Sequence, residues 1–134
     1  MKPGEPRRFV VPSRLDELAA LRGEVRALAL EHGFSAAAAD DFQLCVHEAA
    51  SNAILHGNRL DENEVVQVTI TAEGPALRAT VRNGGPGFDP RAAQESLGVG
   101  AERPRGRGML LIAGLTEGMA WSDGGREVTF VKRP

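Results

Sequence analysis

A glutamate and an asparagine four residues apart, Glu48 and Asn52, stand in a stretch whose residue types favour helix, from Asp41 to Asn58. At that spacing both side chains leave the same side of a helix, so a carboxylate and a carboxamide can act on one ligand together. Asn52 offers a neutral oxygen to a hard cation such as magnesium, which keeps most of its waters. Glu48, one turn earlier, can accept the proton of an attacking hydroxyl or hold a metal-bound water. Two glycine-rich turns follow. In Asn83-Gly84-Gly85-Pro86-Gly87-Phe88, Asn83 can hydrogen-bond the edge of a base, while Gly85 and Gly87 leave room for a flat ring against bare backbone. In Gly106-Arg107-Gly108 the glycines let backbone approach an anion, the helix they open points free N–H groups at it, and Arg105 and Arg107 add charge. Taken singly, each motif also suits a plain helix surface or loop. Their order is what points to a nucleotide site with magnesium, because phosphoryl transfer needs charge neutralisation, donors to the phosphates and a group that orients the attacking oxygen.

The elements that must position these residues are legible from periodicity. Arg8 to Val11 reads as a short first strand stopped by Pro12, and Ser13 as the N-cap of a helix carrying Leu15, Leu18, Leu21, Val25 and Leu28 until Gly33. Ser35 caps a second helix whose apolar stripe is Phe42, Cys45, Val46, Ala49 and Ala53, with Glu48 and Asn52 along its edge and Gly57-Asn58 ending it. The period then changes to two. Val66, Val68 and Ile70, and after Glu73-Gly74-Pro75 the residues Leu77, Ala79 and Val81, alternate with polar neighbours as in a hairpin. Residues 91 to 106 show no sustained period and read as a mobile loop, a lid over bound nucleotide, leading into a short helix of about residues 108 to 115. A second hairpin, Gly118 to Ser122 and Arg126 to Val131 around Asp123-Gly124-Gly125, closes the chain. Strands around two long helices predict an α+β fold, a two-layer sandwich with one sheet covered by helices.

Composition sets the outer bounds. A chain of 134 residues with 42% hydrophobic and 25% charged residues suits a single globular domain over 1–134. A formal net charge of -2 gives no electrostatic case for nucleic acid or an anionic membrane. One cysteine, Cys45, rules out an intramolecular disulfide and a cysteine metal cluster, and its apolar setting makes it structural. No apolar run is long enough for a signal-peptide core or a membrane span, so a cytoplasmic location is expected. His56, just before Gly57, reads as a helix C-terminal residue rather than a metal ligand, since His32 and His47 show no matching spacing.

Phe9-Val10-Val11-Pro12, His47-Glu48-Ala49-Ala50-Ser51-Asn52-Ala53-Ile54-Leu55-His56-Gly57, Gly85-Pro86-Gly87-Phe88-Asp89-Pro90 and Gly106-Arg107-Gly108-Met109-Leu110-Leu111-Ile112, in that order, resemble the Bergerat-fold, histidine-kinase-like ATPases, and within them the anti-sigma factor serine/threonine kinases. The resemblance covers nearly the whole chain. It implies a homodimer that binds ATP and magnesium, sequesters a sigma factor and phosphorylates a serine or threonine of an anti-anti-sigma partner. By that resemblance Glu48 is the catalytic carboxylate, Asn52 the magnesium ligand and Gly106 to Gly108 the phosphate turn. Two positions depart from the family's pattern. Asn83 stands where an aspartate usually accepts the adenine amino group, and Arg126 stands where a threonine usually serves the same base. Strand alternation would put Arg126 on the side of Val128 and Phe130, toward the pocket. The alternative these departures favour is a non-catalytic, partner-binding module of the same fold with weak or altered nucleotide binding.

Overall fold

The computed structural model describes residues 5–86 and 104–134, with only the backbone described at 104–107. Among the described residues five strands form one antiparallel sheet: β1 (Arg7–Pro12), β2 (Val65–Glu73), β3 (Ala76–Asn83), β4 (Glu117–Ser122) and β5 (Glu127–Lys132), in the order β1-β2-β3-β5-β4. Alternation makes one face apolar. Val68 lies opposite Val81 and Val81 opposite Val128, while Ile70, Ala79 and Phe130 form the next row. All of these are buried, whereas the intervening Gln67 and Arg78 are exposed and Thr80 shares a hydrogen bond with Thr129 on the opposite face. Such alternation is what a sheet with one covered face requires.

The cover consists of α1 (Leu18–Glu31), α2 (Ala36–Asn52) and α3 (Pro104–Leu115). Leu18, Leu21, Val25 and Leu28 of α1 follow the helical period and are all buried. On α2, Phe42 and Val46 alternate with Ala39, Ala49 and Ala50, whose small side chains let neighbouring helix backbone approach. Phe42 meets Phe34 and Phe130 edge-on, with ring centroids 6.0 and 6.5 Å apart, joining the helical layer to β5. Cys45 lies in this core, where burial pushes its thiol up to about 12, so it acts as a small apolar side chain.

Several local expectations change. Ser35 does cap α2, its Oγ accepting from the Ala38 N–H at 3.1 Å. Ser13, however, caps nothing. The helical region starts later, with a 3₁₀ turn at Leu15–Glu17, and Leu15 is exposed outside the apolar stripe. Ser13 is instead buried, and its hydroxyl donates to the Glu64 carbonyl at 2.8 Å. After Asn52 the α2 helix widens into a π-turn, Ala53–Gly57, in which the Asn58 N–H reaches back five residues to the Ala53 carbonyl at 2.7 Å. The last helix begins four residues earlier than its periodicity suggests, because Pro104 suits a first helical turn. The lid expected at 91 to 106 lies, up to residue 103, outside the described residues.

Candidate functional site

Glu48 and Asn52 sit on the last two turns of α2, four residues apart as their spacing predicts. Asn52 is not an edge residue: it is 2% exposed, and its Nδ2 has no hydrogen-bond partner among the described residues. A buried donor without an acceptor is costly, so this Nδ2 is open to an acceptor supplied by water or a ligand, while a cation would need the Oδ1. Glu48 is half-buried, and loss of water raises its carboxyl above the ordinary carboxylate range. A carboxylate made more basic in this way is better matched to accepting a proton near neutral pH. Its neighbour His47 is shifted down, first by burial and then by the Arg22 charge, both of which favour the neutral imidazole.

Folding brings α3 onto this carboxylate. A Cβ placed on Gly108 would stand 2.6 Å from Glu48 Oε2 and 3.3 Å from Glu48 Cβ, so only a glycine leaves the carboxylate where it is. Gly106, Arg107 and Gly108 lie inside the first turns of α3 rather than before it, which corrects their reading as the residues that open the helix. Gly108, at the start of the second turn, is where α3 reaches Glu48; the N-terminal turn, where negative charge is favoured, precedes that contact. The Arg107 side chain, like Gly87 of the first glycine turn, lies outside the described residues.

The other glycine turn meets the far end of α2. Asn83 ends β3, is 2% exposed, and packs on Gly57 so closely that any side chain at Gly57 would collide with its carboxamide. The Asn83 N–H donates to the Arg126 carbonyl at 2.8 Å, and Nδ2 makes long contacts to the carbonyls of Gly125 at 3.4 Å and Arg126 at 3.3 Å. That leaves Oδ1 buried with no partner among the described residues, a free acceptor of the kind a base amino group satisfies. Gly85 lies against the backbone of Gly57 and Asn58. Arg126 is not part of β5, contrary to the alternation argument. It caps the turn Asp123–Gly125, and its Nε donates to the Gly85 carbonyl at 3.0 Å instead of pointing along the Val128 and Phe130 row.

The α2 helix and its π-turn thus form one floor, with Glu48 and Gly108 at one end, Asn52 between, and Gly57 under Asn83 and Gly85 at the other. At 1.5 Å per step the nine steps from Glu48 to Gly57 span about 13 Å, room for an elongated ligand with a flat end and an anionic end. Among the described residues no three histidine, cysteine or acidic side chains gather as a metal cage. Magnesium needs no such cage, because one protein oxygen such as Asn52 Oδ1, together with phosphates and water, suits its octahedral shell.

Among the described residues, a five-stranded open antiparallel sheet under three helices, with Glu48 and Asn52 on the helix floor between two glycine turns, makes an α+β domain. The family described as Histidine kinase-like ATPase domain matches residues 11–132, and the chain belongs to that family. ATP binding is the property this membership carries. A search among curated proteins gives no significant match. Among the described residues no helix is long and apolar enough to cross a membrane.

The structure places Glu48, Asn52, Asn83, Gly85 and Gly108, all singled out by sequence, along this floor; Asn58 is not singled out by sequence, and Ser13 reads there as a helix cap. Asn58 is 1% exposed; its Nδ2 donates to Ser13 Oγ at 2.8 Å and to the Val65 carbonyl at 3.1 Å, and its Oδ1 accepts from the Gly85 N–H at 2.7 Å. A single asparagine after a helix-ending glycine carries no pattern that distinguishes it from an ordinary cap.

Proposed function

We propose that this protein is an ATP-dependent protein serine/threonine kinase of the anti-sigma type. In this reading it holds a sigma factor and transfers phosphate from ATP to a hydroxyl of an anti-anti-sigma partner. The observation that carries the catalytic half is the contact of Gly108 with the Glu48 carboxylate, which sets a half-buried base about one turn from the helix N-terminus that would suit phosphate. Asn52 would hold magnesium, whose charge offsets that of the phosphates. Glu48 receives the proton of the incoming serine or threonine hydroxyl, a role that half-burial favours by making the carboxylate more basic. Asn83 Oδ1 accepts from the base, and the Gly85 turn forms the wall beside it.

The partner half rests on the sequence resemblance, with one supporting feature of the surface. Among the described residues β1 pairs with β2 on one side only, and Val10 on this edge strand is 66% exposed. An edge of that kind is open to a second chain, as a homodimer requires. The competing reading, a regulatory module that binds partners without turnover, draws on Asn83 and Arg126, whose polar groups are partly engaged by backbone.

The deciding experiment incubates the wild-type protein with radiolabelled ATP, magnesium and candidate anti-anti-sigma proteins encoded beside it, in parallel with a sigma-factor pull-down. Label appearing on a serine or threonine supports the kinase. Sigma binding without label transfer to any candidate establishes the regulatory module instead, and loss of both sinks the anti-sigma assignment.

A further inference from the structure

Gly85 is held from both sides by side chains, those of Asn58 and Arg126. Its N–H donates to Asn58 Oδ1 at 2.7 Å, and its carbonyl accepts from Arg126 Nε at 3.0 Å. The two holders are themselves fixed. Asn58 Nδ2 is bound by Ser13 Oγ at 2.8 Å and the Val65 carbonyl at 3.1 Å, and the Ser13 hydroxyl passes its own hydrogen to the Glu64 carbonyl at 2.8 Å. Asn58 therefore uses both ends of its carboxamide, and its orientation follows from having donors and acceptors on opposite sides. Arg126 is anchored through Nη1 to the Asp123 carbonyl at 3.1 Å, with the Asp123 carboxylate 3.5 Å away. A continuous polar chain runs from the end of β1, through Ser13 and Asn58, across the Gly85 peptide, to the β4–β5 turn.

Packing gives this chain its purpose. Gly85 stands so close to Gly57 and Asn58 that a side chain there would strike the Gly57 carbonyl and come within 2.9 Å of Asn58 Oδ1. Gly57 in turn lies under Asn83, whose Oδ1 is buried and without a partner among the described residues. A peptide bracketed at N–H and C=O beside an unfilled acceptor is a wall fixed before the ligand arrives, and such preorganisation lowers the ordering cost of binding. The glutamate end of the floor lies about 13 Å away along α2 and its π-turn, and it has no share in this clamp.

We propose that Asn58 and Arg126 are positioning residues for the base end of the nucleotide site, clamping the Gly85 peptide so that it and Asn83 present a fixed surface to the base. The inference rests on the nucleotide-binding reading above and adds two residues that act through Gly85 without touching the phosphates. It requires that damage to the clamp weakens recognition of the base and leaves recognition of the polyphosphate intact.

The test compares binding of magnesium–ATP and of magnesium–tripolyphosphate, which lacks base and sugar, by calorimetry on wild type, Asn58→Ala and Arg126→Ala. The amide exchange of Gly85 is followed by NMR in the nucleotide-free proteins. Asn58 is buried, so its replacement can disturb folding; Arg126 is partly exposed and removes the clamp from the other side with the core untouched. The clamp requires that the Gly85 N–H is protected in wild type and exchanges faster in Asn58→Ala. It also requires ATP affinity to fall about tenfold or more in both variants while tripolyphosphate affinity stays within about twofold. A parallel loss for both ligands would show general damage and overturn the positioning role, as would unchanged ATP affinity in Arg126→Ala with a folded Asn58→Ala that also binds normally. If wild type binds tripolyphosphate but not ATP, the clamp is overturned while the phosphate end stands. If it binds neither, the nucleotide reading itself falls and takes the clamp's role with it.

Discussion

Replacing Gly108 by alanine separates stability from catalysis, because the two should move in opposite directions. Gly108 is the fifth residue of α3, and an interior glycine-to-alanine change stabilises a helix by about 1 kcal/mol. For a domain of 134 residues that corresponds to a rise in melting temperature of about 3 to 5 °C before any clash is counted. The new methyl meets one obstacle, the Glu48 side chain. Ordinary contact begins near 3.4 Å, a value the Glu48 Cδ already satisfies and its Cβ at 3.3 Å nearly does, whereas Oε2 would be at 2.6 Å. The carboxylate oxygen therefore retreats by about 0.8 Å by rotating the end of a flexible side chain, at little cost to the fold. A base misplaced on the order of 1 Å loses about 10²-fold in rate. Gly108→Ala should melt at or above the wild-type temperature and bind magnesium–ATP within a few-fold of wild type, yet transfer phosphate about 10² times more slowly. Scanning calorimetry, binding calorimetry and radiolabel transfer on the same preparation supply the three numbers. Wild-type transfer by a folded Gly108→Ala protein would refute the assignment of Glu48 as the reacting carboxylate, and a large fall in melting temperature would refute the claim that only the carboxylate tip must move.

Asn52→Ala should abolish most of the magnesium dependence of ATP binding, read by calorimetry with and without the cation, since it removes the oxygen assigned to the metal; undiminished magnesium dependence rejects Asn52 as the ligand. Glu48→Gln should keep ATP affinity while transfer drops by about 10² to 10⁴, and full transfer would end the case for a general base. The same substitution has a signed effect on stability. Burial raises the folded-state carboxyl above its unfolded value, so the Glu48 contribution is fully present below the unfolded value and is lost as pH rises through the folded one. Glu48→Gln should accordingly gain stability relative to wild type from acid to neutral pH in denaturant titrations, and a gap that shrinks with rising pH would contradict the sign. Asn83→Asp turns the Nδ2 that faces the Gly125 and Arg126 carbonyls into an oxygen, which should cost about 1 to 3 kcal/mol of stability. The free acceptor becomes charged at the same time, so ATP affinity should rise by about 1 kcal/mol, and unchanged or weaker binding would show that Asn83 does not meet the base.

The pairing of β2 with β3 followed from strict alternation, because a one-residue slip would turn Val66, Val68 and Ile70 to the open face. The spacing of Glu48 and Asn52 put both on one side of a helix, since helical geometry is local and fixed at 3.6 residues per turn. Composition and the single cysteine excluded a disulfide framework without any structure.

Long-range contacts were a different matter, because nothing local encodes them. That Gly108 touches Glu48 across sixty positions of sequence depends on how α3 settles on α2, and that Gly57 lies under Asn83 depends on the π-turn after Asn52. Ser13 shows the limit most sharply. Its local context, a small hydroxyl before an apolar helical stretch, favours a helix cap, yet the buried carboxamide of Asn58 forty-five residues on competes for the hydroxyl and holds it. Arg126 likewise looked like a strand residue until the Asp123–Gly125 turn, with Asp123 at φ 51, carried it out of the alternation and onto the Gly85 carbonyl. Sequence determines which residues lie on one face of one element, since that follows from backbone period; which faces meet, and which polar groups they leave without partners, is decided by packing of the whole chain.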